Sequence, residues 1–224
     1  MALIGDSDQT YLRGEFSKHL RGNVELVVFT SKDASCKYCK ETVQLAEEVS
    51  ALTDKIKLTV YDLNENNDIA RQLGVEKYPT TLVCRDGERN GRIKYSGLPS
   101  GYEFGSLIED IKMVSGDEAK ISAKAMEMLS RVENPVNIRV FVTPTCPYCP
   151  RAVNTAHKFA YKNEKVIGEM IMSSEFSKEA QEAGVTAVPH IVINDEVRFD
   201  GARTDEEFAE FLLEASSSSA DRQI

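Results

Sequence analysis

The chain has 224 residues, 42% of them hydrophobic and 28% charged, enough for one large domain or two of roughly 110 residues with separate cores. Its net charge of −9 is spread over both halves, −5 over residues 1–118 (15 basic, 20 acidic) and −4 over 119–224 (12 basic, 16 acidic), which leaves no basic footprint for nucleic acid. No run of about 18 apolar residues is available to span a bilayer, and Met1–Asp8 turns acidic and polar at once, without a secretion signal, so a cytoplasmic protein with no membrane partner is expected.

In chain order, residues 6–20 read as an amphipathic helix with Leu12, Phe16 and Leu20 on one face. An apolar strand, Val24–Phe29, runs into Cys36-Lys37-Tyr38-Cys39 and a helix striped by Val43, Ala46 and Val49. A second strand over 57–61 and a short helix ending at Gly74 follow, the glycine placed as a left-handed stop. After Pro79 come a strand over 81–84, an Asp86-Gly87 turn, a strand over 92–95 and a helix opened by a capping box, Ser100 to Glu103.

The series then begins again: a helix over 117–132, a strand Val136–Phe141, Cys146-Pro147-Tyr148-Cys149, and a helix striped by Val153, Ala156, Phe159 and Ala160. A strand over 166–171, a helix ending at Gly184, and Pro189 lead to a hairpin, 190–193 and 196–199, turning at Asn194-Asp195. A last helix opens with the box Thr204 to Glu207. The two CxxC motifs, the prolines and the Gly-Val pairs (Gly74-Val75, Gly184-Val185) all recur at an offset of 110 residues, and each proline lies 43 residues after its first cysteine. We therefore expect a duplicated unit, residues 1–117 and 118–215, with 216–224 as a disordered serine-rich tail.

A CxxC opening a helix places both sulfurs close enough to bridge, and the unpaired N–H groups and dipole of the helix favour negative charge at the first sulfur. Its thiol should ionise below the ordinary value of about 8.5 and attack as thiolate, with the second cysteine resolving the mixed disulfide. Cys36 and Cys146 are thus candidate nucleophiles, and Cys39 and Cys149 candidate resolving thiols. Tyr38 and Tyr148 can cover the dithiols, and Lys37 sets a cation beside Cys36. Pro79 and Pro189 are expected to be cis, on the strength of their fixed distance from CxxC.

Two CxxC pairs could also hold zinc, but zinc sites usually place their pairs some 12–20 residues apart on turns, whereas these pairs are far apart and open long helices. No metal and no cofactor beyond the two redox disulfides is expected. Cys84 reads as a small apolar core residue; His190, just after Pro189, could approach Cys146 but reads rather as an ordinary strand-start position. His19 and His157 have no ligand pattern beside them.

The element order is that of a thioredoxin-like fold, twice over: an α/β protein of two tandem thioredoxin-like domains, each a central mixed β-sheet flanked by helices. The stretches Val140–Pro150 and Tyr95–Phe104, the second containing Gly97-Leu98-Pro99-Ser100-Gly101-Tyr102-Glu103-Phe104, make the chain similar to the protein disulfide oxidoreductases of archaea and thermophilic bacteria. These are glutaredoxin-like relatives of protein disulfide isomerase. The resemblance implies oxidation, reduction or isomerisation of protein disulfides, with protein thiols or disulfides as substrates and a thioredoxin-reductase-like flavoprotein as a further partner. It also implies that the backbone at Tyr78 and Val188 pairs with an extended substrate beside Pro79 and Pro189. Alternatives are an electron carrier to a peroxidase or reductase, and a redox-inactive chaperone or zinc-binding module. Thioredoxins proper carry a buried acid on the strand before CxxC; the matching positions here are Val28 and Val140, so another group or water must take the resolving proton. The second motif has the more typical surroundings.

Overall fold

The structure, a computed structural model, describes residues 2–116 and 118–218. Sixteen elements follow in the order α1 (Asp6–His19), β1 (Val24–Thr30), α2 (Cys39–Ser50), β2 (Ile56–Asp62), α3 (Asn67–Gln72), β3 (Thr80–Arg85), β4 (Ile93–Ser96), α4 (Tyr102–Val114), α5 (Ala123–Ser130), β5 (Val136–Val142), α6 (Cys149–Lys162), β6 (Val166–Met172), α7 (Ser177–Glu182), β7 (His190–Ile193), β8 (Val197–Asp200) and α8 (Asp205–Ser218). They fall into two compact units. Pro99 closes the first stretch of unit one, Ser100–Ser106 belongs to unit two, Leu107–Glu118 returns to unit one, and the chain from Ala119 onward completes unit two.

Within each unit the ladder has the same logic. In unit one β1 pairs in parallel with β2 and antiparallel with β3, which pairs antiparallel with β4. In unit two β5 pairs in parallel with β6 and antiparallel with β7, which pairs antiparallel with β8. A parallel pair needs a crossover, and α2 or α6 supplies it. Register carries the duplication to single positions: Thr30 faces Asp62 at the end of the first parallel pair, and Val142 faces Met172 at the end of the second.

One face of each sheet is closed by the short helix. Val27, Phe29, Leu82 and Cys84 pack with Ala70 of α3 and with Val75, and Phe141, Ile171 and Val192 pack with Ala180 and Ala183 around α7. Gly168 lets α6 approach β6 closely: a Cβ there would lie 2.8 Å from the His157 ring and 2.9 Å from the Ala156 carbonyl oxygen. His157 is accordingly a buried packing residue. The helix stops are as expected, with Gly74 at φ +61° and Gly184 at +77°.

The structure differs from the sequence reading in several places. The helix expected over 117–132 is confined to α5, with Ser122 as its N-cap accepting from the Ala125 amide at 3.2 Å. Helices α2 and α6 start at the second cysteine of each motif, not the first. The Thr204–Glu207 capping box forms, the Glu207 amide donating to Thr204 Oγ1 at 3.2 Å and the Thr204 amide to Glu207 Oε2 at 2.9 Å; Glu103, its counterpart, is instead fully buried and accepts from Ser106 Oγ at 2.7 Å. Finally, α8 runs on to Ser218 and buries Ser216, because Leu212 and Ala215 keep its apolar stripe in the core past the expected end at 215. The rest of the expected tail, 219–224, and Asp117 lie outside the described residues.

Candidate redox sites

Each CxxC is closed as its own disulfide, Cys36–Cys39 with Cα atoms 5.6 Å apart and Cys146–Cys149 with 5.5 Å, within the range that a disulfide bridges without backbone movement. The first cysteine of each motif sits in a turn ahead of its helix, fixed by its own amide: Cys36 N–H donates to the Asp33 carbonyl at 3.0 Å, and Cys146 N–H to the Thr143 carbonyl at 3.2 Å. The amide of Cys149, the first residue of α6, then donates to Cys146 Sγ at 3.1 Å. A free N-terminal helix amide aimed at this sulfur favours its thiolate. That contact preserves the dipole argument although Cys146 lies just outside the helix.

Beyond the sulfurs, the peptide bonds Tyr78–Pro79 and Val188–Pro189 are both cis. Cys146 Sγ lies 3.7 Å from the Val188 carbonyl oxygen, so in unit two the proline loop and the motif meet. Tyr78 and Val188 are half-buried, Pro79 and Pro189 buried. Tyr148 stands 69% exposed beside the disulfide. Tyr38 is half-buried and carries the Lys37 ammonium 5.0 Å above its ring centroid, a cation–π contact that holds this charge on the CxxC turn.

The two sites differ in detail. Cys36 is half-buried, whereas Cys146 is only 8% exposed. In the first, the Ser31 amide donates to Cys39 Sγ at 3.3 Å. The residue after the cis-proline differs too: Thr80 meets Ser96 at 3.2 Å in unit one, while in unit two His190 Nδ1 meets Asp200 Oδ1 at 2.6 Å, with Nε2 buried and lacking a hydrogen-bond partner among the described residues. His190 therefore does more than begin a strand; it replaces a neutral hydroxyl pair by an imidazole–carboxylate pair next to the loop that touches Cys146. The expected hairpin, turning at Asn194-Asp195 alone, would set Phe199 opposite His190; the actual loop is one residue longer and sets Asp200 there, which is why the pair was not visible in the sequence.

What the sequence did not show is where the segment 100–106 belongs. The Tyr102 amide donates to the Pro144 carbonyl at 3.1 Å, two residues ahead of Cys146, and Gly101, at φ +61°, is pressed against the same carbonyl. This segment brings the buried carboxylate of Glu103 into unit two. Cys84 is buried outside any disulfide, and burial pushes its thiol up from the usual range. Among the described residues no group of three or more His, Cys, Asp or Glu is arranged to hold a metal, and no helix is long and apolar enough to cross a membrane.

A disulfide ahead of a helix, on a parallel pair followed by cis-proline and an antiparallel hairpin, defines the thioredoxin class. The family model for the thioredoxin domain matches residues 24–109 and 136–214, and the chain belongs to that family. A protein disulfide oxidoreductase from Aeropyrum pernix K1 is similar over 97% of this chain and 96% of its own, with a TM-score of 0.89 and 29% identity. The NTD N/C domain of the alkylhydroperoxide reductase AhpF from Enterococcus faecalis V583 matches 93% of this chain and 99% of its own, with a TM-score of 0.85 and 27% identity. Among curated proteins, the AhpF component of alkyl hydroperoxide reductase from Staphylococcus aureus strain Mu50 is 27% identical over 185 residues, 83% of this chain and 33% of that protein. The chain thus spans about a third of the length of the curated relatives it matches.

Proposed function

We propose that the protein is a thiol–disulfide oxidoreductase with two dithiol sites acting on protein thiols and disulfides. The observation that carries this reading is the pair of CxxC disulfides, each ahead of a helix, the second with its nucleophile aimed by a helix amide and set against the Val188 carbonyl. The likeness to the Aeropyrum pernix protein disulfide oxidoreductase supports it.

In the reductive direction the Cys146 thiolate attacks a substrate disulfide, forming a mixed disulfide and releasing one substrate sulfur as thiolate. Cys149, deprotonated, then attacks Cys146 Sγ, the bond to substrate breaks, the second substrate thiol leaves, and Cys146–Cys149 is oxidised. Oxidation of a substrate dithiol is the same sequence reversed. Cys36 and Cys39 play the same parts in unit one. An extended substrate segment pairs with the backbone at Val188 beside Pro189, or at Tyr78 beside Pro79. Tyr148 and Tyr38 form the apolar margin of each site. The reading carries with it a cytoplasmic setting.

Insulin reduction and refolding of a scrambled disulfide protein test it. Cys146→Ser should remove most of the activity, Cys36→Ser a smaller share, and the double variant all of it. Wild-type turnover in the double variant defeats the reading; aggregation suppression persisting without the four cysteines would then point to a chaperone, and a tightly bound metal lost with unfolding to a zinc module.

A second reading, an electron carrier to a peroxidase or reductase, is favoured by the likeness to the AhpF proteins. Reduction potentials separate the two. A value near the −270 mV typical of thioredoxin suits reductive delivery, and one near −180 mV suits oxidation or isomerisation.

A further inference from the structure

We propose that Asp62 is the proton acceptor for the resolving thiol Cys39; the register position that matches it in the second unit is Met172. The inference rests on the dithiol reading above and assigns a residue that neither motif contains.

A thiol held in a protein interior resolves a mixed disulfide only as thiolate, so its proton needs a destination. Val28, at the strand position where thioredoxins proper carry an acid, offers none. Cys39 is itself 3% exposed, yet it forms part of the wall of a cleft of about 560 Å³ that is wide enough for several waters. The ionisable groups around that cleft are Lys32, Lys40, Glu47, Asp62 and Glu65.

Consecutive backbone amides link Cys39 to one of these. Ser31 N–H donates to Cys39 Sγ at 3.3 Å, and the next amide, Lys32 N–H, donates to Asp62 Oδ2 at 3.3 Å. Adjacent amide nitrogens are closer than the ~3.8 Å Cα spacing, which caps the separation of sulfur and carboxylate at roughly 10 Å. A chain of two or three waters, with links of roughly 2.8–3.3 Å, would span a gap of that length. Register explains why the carboxylate is there: Asp62 ends β2 opposite Thr30, the residue before Ser31, and the Leu63 amide ties the strand end to the Thr30 carbonyl at 2.9 Å.

The other acids serve less well. Glu65 is 64% exposed and tied to Lys32 Nζ at 2.8 Å. Glu47 lies eight residues along α2 from Cys39, about 12 Å of helix. In unit two the register position of Asp62 is Met172, 1% exposed and without a proton site, facing Val142.

The step balances. The Cys39 proton passes through cleft water to the Asp62 carboxylate, the Cys39 thiolate attacks Cys36 Sγ of the mixed disulfide, and the bond from Cys36 to the outgoing sulfur breaks with that sulfur leaving as thiolate. In the oxidising direction Asp62 returns the proton.

The test uses the full chain with Cys146→Ser and Cys149→Ser, reduced and mixed with Ellman's reagent. Attack by Cys36 releases one thionitrobenzoate and resolution by Cys39 a second, so the bursts report the two steps separately. Asp62→Asn should leave the first burst unchanged and slow the second about a hundredfold at pH 7, the lower end of what a positioned base contributes. That second rate should also climb with pH where the parent's is flatter. Asp62→Glu should restore it in part, and Asp62→Ser, which keeps a side-chain oxygen for the Lys32 amide, should behave like Asp62→Asn. In the converse background, Cys36→Ser with Cys39→Ser, Asp62→Asn should change neither burst. A second burst with the parent rate and pH profile in Asp62→Asn or Asp62→Ser overturns the assignment. Absence of either burst in the parent would instead count against the dithiol reading itself.

Discussion

Glu25 is a carboxylate in a strand that otherwise reads as apolar, and it is held there by a fork of donors. Arg89 Nε and Nη2 reach its two oxygens at 2.8 and 2.6 Å, Thr59 Oγ1 donates at 2.6 Å, and Lys57 Nζ lies 3.5 Å away. The Arg89 hydrogen bonds above all bring its pKa down from 4.5 to about 2, against the opposing pull of burial. Because the folded value is the lower one, the stabilisation is complete above about pH 4.5 and is lost as pH falls toward 2. Glu25→Gln should therefore cost about 2 kcal/mol at neutral pH, discounted from the full shift because Arg89 is partly exposed. The gap from wild type should close in urea unfolding between pH 4.5 and 2. From sequence, Glu25 was only a break in a hydrophobic run; its partner is 64 residues away, and no periodicity connects them. Asp62 escaped notice for the same reason, and His190, though singled out, was read as ordinary. An acid at a strand end reads as solvated surface, and a lone histidine as a satisfied one, until register shows what each faces.

Elements were far more legible than contacts. The strands themselves, both helices after CxxC and both glycine stops follow from apolar periodicity and left-handed glycines, and the duplication checks each reading against the other. The starts of α2 and α6 were misplaced because the CxxC turn is held by hydrogen bonds to Asp33 and Thr143 that lie outside any helical pattern. Gly101 belongs to this scale. A Cβ there would come 2.1 Å from the Pro144 carbonyl oxygen at φ +61°. Gly101→Ala should thus destabilise unit two by more than 1 kcal/mol and slow turnover at Cys146, as read by thermal melting and by activity in a Cys36→Ser background. Gly14, inside α1 with nothing within 4 Å of its Cβ position, is the control: Gly14→Ala should raise stability by about 0.5–1 kcal/mol.

At the scale of the whole molecule, one chain carries two copies of one device with different accessories. In the first, Cys36 is the more open of the two leading cysteines, and the strand end beside it carries Asp62. In the second, Cys146 is more shielded, an imidazole–carboxylate pair follows the cis-proline, and Met172 holds the register position of Asp62. The sequence showed that the sites were unequal but located the inequality in the motif and its loop. The structure adds positions 62, 80, 172 and 190, which differ between the units while both keep the same strand pairing.

The segment Ser100–Ser106 has a consequence for how such a protein can be taken apart or recombined. In sequence it is the tail of the first repeat; in space it completes the second. The second unit is therefore not a self-contained stretch of sequence. A fragment beginning at residue 118 gives up the support of Pro144 and the Glu103 carboxylate, and should melt lower and reduce Ellman's reagent more slowly than one beginning at residue 99. Equal melting temperatures and rates for the two fragments would show that the segment is dispensable. A chimera exchanging second repeats between relatives should accordingly work only when it carries these seven residues along.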